Sequence, residues 1–399
     1  MFDYKNEVLR YLQKGQQMGS AKKTAAKLIW MSLKYLMRRE KSIKQTPTNT
    51  DKQKTPNTIS LLVDIPGGIG DVVIALQYLY KMKQHMGNHL IIHVSAKAPV
   101  SPLLYGQTFI HQIVTEQTNA EYDVILQLAR FPRILFWNEH IQNISKTFYT
   151  YCKNIITFQQ EHFILFEHMP YNDFLGKCYS EQIGLNRETQ ADVTHQLLTS
   201  PSNFRIHYNP EAEAILKQLN ITPDTYITLQ RGVGEEDIKG TGKRNTSTRL
   251  WSLEKYHQLT QQIKTIAPNL KIIQLGNAKC EPIKHTDIDL RGKTTFQELL
   301  VLLSHAKLHI DLEGGMVHLR HFLSRKPSVV LFGPTDETYL GYPENINISK
   351  RTCKYPCDWM TPNWREKCAV SKRGNVPCMD AIEVSDVLAR IQLFLNDES

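Results

Sequence analysis

Twice in this chain a short run of aliphatic and β-branched residues ends in glycines and passes into helical spacing. That repeated unit constrains the fold more than any other feature. The first run is Ile59-Ser60-Leu61-Leu62-Val63-Asp64-Ile65, followed by Pro66-Gly67-Gly68-Ile69-Gly70 and by helical spacing over residues 71–86. Leu90-Ile91-Ile92-His93-Val94 and Val124-Ile125-Leu126 repeat the strand signal. A second series starts at Tyr226-Ile227-Thr228-Leu229 and continues through Ile272-Ile273-Gln274-Leu275, Leu308-His309-Ile310-Asp311 and Ser328-Val329-Val330-Leu331-Phe332. Strands alternating with helices predict parallel sheets covered on both faces. Two such series, each of about 150 residues, predict an α/β chain with two doubly wound, Rossmann-like domains facing across a cleft.

The spacing divides the chain into five parts: a basic helical N-terminal segment at 1–45, a linker at 46–57, Rossmann-like domains at 58–200 and 201–350, and a Cys-rich loop with a C-terminal helix at 351–399. The terminal helix is expected over residues 379–396. The linker is polar and carries two prolines. A length of 399 residues supplies ample core, so neither a disulfide nor a metal is needed simply to fold.

The formal charge of +9 is unevenly spread. Residues 1–45 hold eleven Lys or Arg against three Asp or Glu, so the remainder is nearly neutral. Within that segment the apolar stretch 28–37 is flanked by Lys22, Lys23, Lys27, Arg38 and Arg39. Such a helix can lie on an anionic inner-membrane surface with Trp30 and Tyr35 near the headgroups, or dock on the protein with a solvated basic face. Patterning alone does not separate the two. No zinc-finger, RRM or homeodomain pattern accompanies the charge, so no nucleic-acid partner is expected. No apolar run reaches the roughly 18 residues of a spanning helix. Asp3, Lys5 and Glu7 precede any apolar stretch, which is not a secretory pattern. The expected location is the cytoplasm, peripheral on the inner face of the membrane if the basic segment binds it.

Gly68 and Gly70 sit in a turn at the carboxyl end of the first strand, the edge where open α/β sheets bind ligands. Asp71 follows at the helix start, as a helix cap or as a functional carboxylate. The turn is not a Walker A loop, since no Gly-Lys-Ser/Thr follows. Nor is it a dinucleotide fingerprint, since position 73 is Val. The counterpart in the second series is Asp311-Leu312-Glu313-Gly314-Gly315-Met316-Val317-His318. Backbone N–H groups at such a helix start can hold a phosphate, and Glu313 can accept from a ribose or sugar hydroxyl. His318, one turn in, either reaches the same ligand or is a core histidine. Gln230-Arg231-Gly232-Val233-Gly234 follows another strand, and Arg249-Leu250-Trp251 comes later. Arg231 and Arg249 suit a diphosphate, where Arg249 would balance charge developing on a leaving phosphate.

Cys353, Cys357, Cys368 and Cys378 lie within 26 residues, in the pattern C-x3-C-x10-C-x9-C. In a reducing compartment four thiolates at that density suit structural zinc or iron, with reduced thiols or facultative disulfides as the alternatives.

Taken in order, these segments resemble the heptosyltransferase family, glycosyltransferase family 9, whose fold is the two-domain GT-B type. The resemblance rests on Gly70-Asp71-Val72, Arg249-Leu250-Trp251, Glu313-Gly314-Gly315-Met316-Val317-His318 and Leu331-Phe332-Gly333-Pro334-Thr335-Asp336. It spans residues 59–340 or so and omits the basic N-terminus. Glu313 and Gly314 stand where the family has Asp and Thr, so a hydroxyl contact to phosphate is lost.

The resemblance implies inverting transfer of a sugar, a heptose, from a nucleotide-diphosphate donor of the ADP-heptose type to an acceptor hydroxyl. The acceptor would be a lipid-linked lipopolysaccharide or lipooligosaccharide core. It assigns Asp71 as general base, Gly68 and Gly70 to the acceptor-side turn, and Arg231, Arg249, Glu313, Gly314, Gly315 and His318 to donor binding. The domain at 58–200 would take the acceptor and that at 201–350 the donor. No metal is implied for the chemistry, since helix N-termini and Arg take its place. Autotransporter heptosyltransferases, which hold iron through four cysteines, are similar in the Cys-rich region with different spacing. A protein or other glycan acceptor is the alternative. So is a non-catalytic nucleotide-sugar-binding module, against which the retention of Asp71 and His318 argues.

Overall fold

The structure is a computed structural model that describes residues 57–114, 122–166, 172–198, 202–232, 247–354, 356–360, 364–368, 370–371 and 375–395. The basic N-terminal segment, nearly all of the linker, and Val233 and Gly234 lie outside the described residues. The chain divides into two compact units between Ile206 and His207.

The first unit is built on a five-stranded sheet in the order β3-β2-β1-β4-β5. Its strands are β1 (Ile59–Ile65), β2 (Leu90–Ala96), β3 (Gln112–Ile113), β4 (Val124–Leu128) and β5 (Pro132–Trp137). Helix α1 (Ile69–Met86) follows β1 directly, and α2 (Lys146–Glu161) and α3 (Asn172–Gln182) come after β5. β1 sits centrally, parallel to β2 and β4, with Leu61, Leu62, Val63 and Ile65 fully buried. A parallel strand covered on both faces is mainly apolar, which is why β1 reads as a hydrophobic run interrupted only by the half-buried Ser60 and Asp64.

β5 departs from the doubly wound expectation, for it runs antiparallel to β4 with an irregularity between Ile125 and Leu126. Its open edge is closed by the Gln159 side chain of α2. That amide accepts from Ile134 N–H at 2.7 Å and donates to Ile134 C=O at 3.1 Å. A side-chain amide thereby stands in for a further strand.

The second unit carries a six-stranded, wholly parallel sheet in the order β11-β10-β9-β6-β7-β8. Its strands are β6 (Tyr226–Leu229), β7 (Lys271–Gln274), β8 (Ile288–Asp289), β9 (Leu308–Leu312), β10 (Ser328–Phe332) and β11 (Ile346–Ser349). Its principal helices are α4 (Leu253–Ile266), α5 (Phe296–His305), α6 (Gly315–Ser324) and α7 (Val384–Leu395). Helix α5 opens with a reciprocal cap in which Thr295 and Glu298 satisfy each other's backbone N–H groups. The strand order reverses between β6 and β9, so the loops after these two strands flank the switch point where such sheets bind ligands.

Both units are therefore Rossmann-like α/β layers, as expected. The C-terminal helix, however, is not continuous from residue 379. A single turn, Pro377–Asp380, is followed by a break before α7. The break frees the Ile382 carbonyl, which accepts from Trp251 Nε1 at 2.9 Å and from Lys255 Nζ at 2.7 Å. Two donors at a buried carbonyl replace the helical bond that continuity would have made. Helix α7 packs within the second unit, its Val387, Ile391 and Leu395 joining Leu259 and Ile263 of α4 in one core.

Candidate active site

In the first unit the candidate carboxylate is Asp71, in the first turn of α1. Its Oδ2 accepts from the Gly68 N–H at 2.9 Å, so the side chain does cap the helix. Its Oδ1 faces elsewhere and accepts from Arg187 at 2.5 Å. One oxygen thus holds the turn and the other is turned to a cation. Burial alone would raise the Asp71 carboxyl. The Arg187 charge and hydrogen bond, the Gly68 N–H and the more distant Arg130 outweigh it and hold the group below the ordinary carboxylate range. Gly67 lies against this carboxylate so closely that any Cβ there would collide with the Asp71 side chain. The turn needs that glycine for space rather than for positive φ.

In the second unit the loop after β6 places Arg231 and the loop before α4 places Arg249. Trp251 is wholly buried and anchors the latter loop through its indole bond to Ile382, while its carbonyl accepts from Arg231 Nε at 3.0 Å. Arg231 also pairs with Glu281. Arg249 donates to the Glu313 carbonyl at 3.2 Å and stands 3.6 Å from Glu313 Oε2. The Glu313 Oε1 lies 3.8 Å from His318 Nε2. Arg249, Glu313 and His318 therefore form one polar row at the switch point, beside the Gly314–Gly315 start of α6. Thr248 ties the row to the Cys-rich loop, donating through Oγ1 to the Trp364 carbonyl at 2.7 Å, and the Arg249 guanidinium lies 6.0 Å from the Trp364 ring centre.

Beneath the row lies a second polar group. His309 Nδ1 meets Thr228 Oγ1 at 2.9 Å, and His309 Nε2 stands 3.4 Å from Asp311 Oδ2. Burial pushes the Asp311 carboxyl up, against the pull of His309 and Arg249.

The four clustered cysteines are free thiols. Burial raises the Cys357 thiol, and Cys378, Cys368 and Cys353 add to that effect; burial, with Cys368 and Cys353, pushes Cys378 up to about 11. Thiols as a donor set suit a soft tetrahedral metal. Yet among the described residues no three His, Cys, Asp or Glu side chains are arranged to hold an ion. No step of chemistry is derived through a metal there.

Residues 243–372 match the model of glycosyltransferase family 9 (heptosyltransferase). The second unit carries a family 9 glycosyltransferase domain. The matched segment includes Arg249, Glu313, Gly314, Gly315, His318 and three of the clustered cysteines. No curated protein matches the sequence.

Solved structures share the fold. An ADP-heptose lps heptosyltransferase II of E. coli is 14% identical, with 85% of this chain and 99% of that one covered at a TM-score of 0.53. A family 9 glycosyltransferase of Veillonella parvula is 14% identical, with 84% and 97% covered at 0.54. The iron-containing dodecameric glycosyltransferase TibC of enterotoxigenic E. coli is 14% identical, with 88% and 82% covered at 0.52.

The molecule gathers Arg249, Glu313, Gly314, Gly315 and His318 at one sheet edge of the second unit, with Arg231 tied to the same loop through Trp251. Asp71, Gly68 and Gly70 stand together at the corresponding edge of the first. Reasoning from sequence passed over Arg187 and Gly67. The doubled glycine was a usable signal for Gly67. Arg187 is 116 residues from Asp71, and no local pattern announces such a contact.

Proposed function

We propose that the chain is an inverting glycosyltransferase. It takes a heptose from a nucleotide-diphosphate sugar of the ADP-heptose type and places it on a hydroxyl of a lipopolysaccharide or lipooligosaccharide core. The observation that carries this reading is the row of Arg249, Glu313 and His318 beside a glycine-opened helix, all within the family 9 segment. The names of the structural relatives agree with the donor. One is an ADP-heptose lps heptosyltransferase, and TibC has been solved in complex with ADP-D-β-D-heptose.

The groups divide the work as follows. Arg249, with Arg231 behind it, and the backbone at Gly314 and Gly315 bind the diphosphate. Glu313 and His318 orient the nucleotide-sugar through its hydroxyls and phosphate oxygens. Asp71, kept ionised by Arg187, accepts the proton of the acceptor hydroxyl. As that O–H bond breaks, the oxygen bonds to the anomeric carbon, and the bond from that carbon to the diphosphate oxygen breaks on the opposite face. The departing electron pair settles on the diphosphate, whose growing charge the guanidinium and helix start neutralise without reorganisation. Inversion at the sugar carbon follows from a single displacement.

A protein acceptor is the second reading. What supports it is the Cys-rich loop, which resembles that of the autotransporter heptosyltransferases with different spacing. The basic segment at 1–45 is assigned to an anionic inner-membrane surface; among the described residues no helix is long and apolar enough to cross a membrane.

Incubating the full chain with ADP-heptose and either a core saccharide or a protein acceptor, beside Asp71→Asn, tests the reading. Transfer should fall at least about 100-fold in the variant, the scale of a lost general base, while ADP binding persists. Undiminished transfer by Asp71→Asn would remove it as the base, and binding of no nucleotide by the wild type would end the glycosyltransferase account.

A further inference from the structure

A row of aromatic and ionisable side chains runs from the donor edge back into the second unit, and the transfer reaction uses none of it beyond His318. His318 and His321 are three residues apart on α6 and so share one face of that helix. Tyr342, from the segment that follows the single turn Glu337–Leu340, fits against both. Its hydroxyl stands 2.6 Å from His318 Nδ1, with the two rings nearly perpendicular at 86°. The face of the same phenol lies flat on His321, ring centres 3.6 Å apart and 11° from parallel. His321 Nδ1 is in turn hydrogen-bonded to Glu344. All three rings are buried, with relative exposures of 3% for His318, 1% for His321 and 2% for Tyr342.

The charge on the opposite side of the His318 ring favours one position for its proton. Nε2 faces a Glu313 carboxylate oxygen at 3.8 Å, and the other oxygen of that carboxylate faces Arg249. An ionised carboxylate only accepts hydrogen bonds, so it favours the imidazole that carries its proton on Nε2. Nδ1 then presents a lone pair, and a phenol can donate to it. The hydrogen bond at one ring nitrogen sets the tautomer at the other. An N–H at Nε2 is also what a phosphate or sugar oxygen requires of a donor-site histidine.

Resting on the donor-site reading, we propose that Tyr342 is a positioning residue for the nucleotide-sugar. Its hydroxyl donates to His318 Nδ1 and so holds His318 as the neutral tautomer whose Nε2–H is offered on the donor side, while the His321–Glu344 pair holds the phenol in place. Tyr342 touches no substrate and acts only through His318.

Two measurements test this. Two-bond proton–nitrogen spectra of protein labelled with ¹⁵N-histidine read the His318 tautomer with no ligand present. The wild type should show the Nε2-protonated form, and Tyr342→Phe, which keeps the ring stacked on His321, should lose that single form. A wild type protonated on Nδ1, or an unchanged spectrum in Tyr342→Phe, would overturn the proposal. Calorimetric titration with ADP reads the consequence. Tyr342→Phe should weaken ADP about fivefold, the worth of one neutral hydrogen bond, and should cost nothing further in a His318→Ala background. Additive losses would mean that Tyr342 acts on its own and would likewise overturn it. If the wild type binds neither ADP nor UDP, the donor-site reading fails, whereas the tautomer spectrum still decides the Tyr342–His318 link separately.

Discussion

Replacing Arg187 by Gln removes the charge facing Asp71 Oδ1 and leaves the Gly68 cap intact. The pair is close, at 2.5 Å, with 12% of the Arg187 side chain and 35% of the Asp71 side chain exposed. Fully exposed pairs contribute roughly 0.2–1 kcal/mol. Breaking a buried pair costs about 3–5 kcal/mol. With a third of Asp71 in water, solvent screening places the loss near the lower range, at about 1 kcal/mol at neutral pH. The sign of the pH dependence follows from the direction of the shift. Asp71 is held below its ordinary range, so the stabilisation is complete above about pH 4 and fades as pH falls through the folded-state value. Urea unfolding of wild type and Arg187→Gln between pH 7 and pH 3 should therefore show a gap that closes at the acid end. The same substitution makes Asp71 easier to protonate, so the acid limb of kcat/KM should move to higher pH. A gap that stays constant down to pH 3, together with an unmoved acid limb, would refute the assignment of Arg187 as the partner that keeps Asp71 ionised.

Gly67→Ala should destabilise the first unit by about 1–3 kcal/mol and depress transfer, because its methyl group must displace the Asp71 side chain; thermal unfolding and activity check this together. Arg249→Ala should weaken ADP by at least about tenfold, as expected when a charge-assisted contact to phosphate is lost, and titration calorimetry measures it. Elemental analysis of purified protein is expected to find no stoichiometric zinc or iron at Cys353, Cys357, Cys368 and Cys378, since no three of the described side chains are arranged to hold an ion; about one metal per chain would overturn that and restore the cluster as a metal site. Removing residues 1–45 should abolish salt-sensitive binding to anionic vesicles, and retained binding would place the membrane contact elsewhere.

What was legible in the sequence divides along a physical line. β1, β6, β9 and β10 announce themselves because strands covered on both faces are rich in aliphatic and aromatic residues, and the glycine turns after β1 and β9 mark their carboxyl ends. β5 was passed over because it is an edge strand that starts with a proline and alternates buried and open positions. Its pairing is completed by Gln159, a residue no strand pattern includes. The break before α7 was invisible for the same reason. Residues 379–396 keep helical spacing, and only the arrival of Trp251 and Lys255 at the Ile382 carbonyl makes the interruption favourable.

At the candidate site the same line separates reacting groups from those that set their protonation. Asp71, Arg249, Glu313 and His318 occur in short motifs because each must sit at a strand-to-helix turn, and such turns are local. Arg187 and Tyr342 have no such requirement. Each needs only to bring one polar atom to one position, from whichever element packs there, and their partners lie 116 and 24 residues away. A chain of this family can therefore keep its motifs and still differ in how readily its carboxylate gains a proton or which nitrogen of its histidine carries one. Tuning of that kind resides in tertiary packing, so it is read by pH profiles and tautomer spectra of Arg187→Gln and Tyr342→Phe rather than by inspection of the motifs.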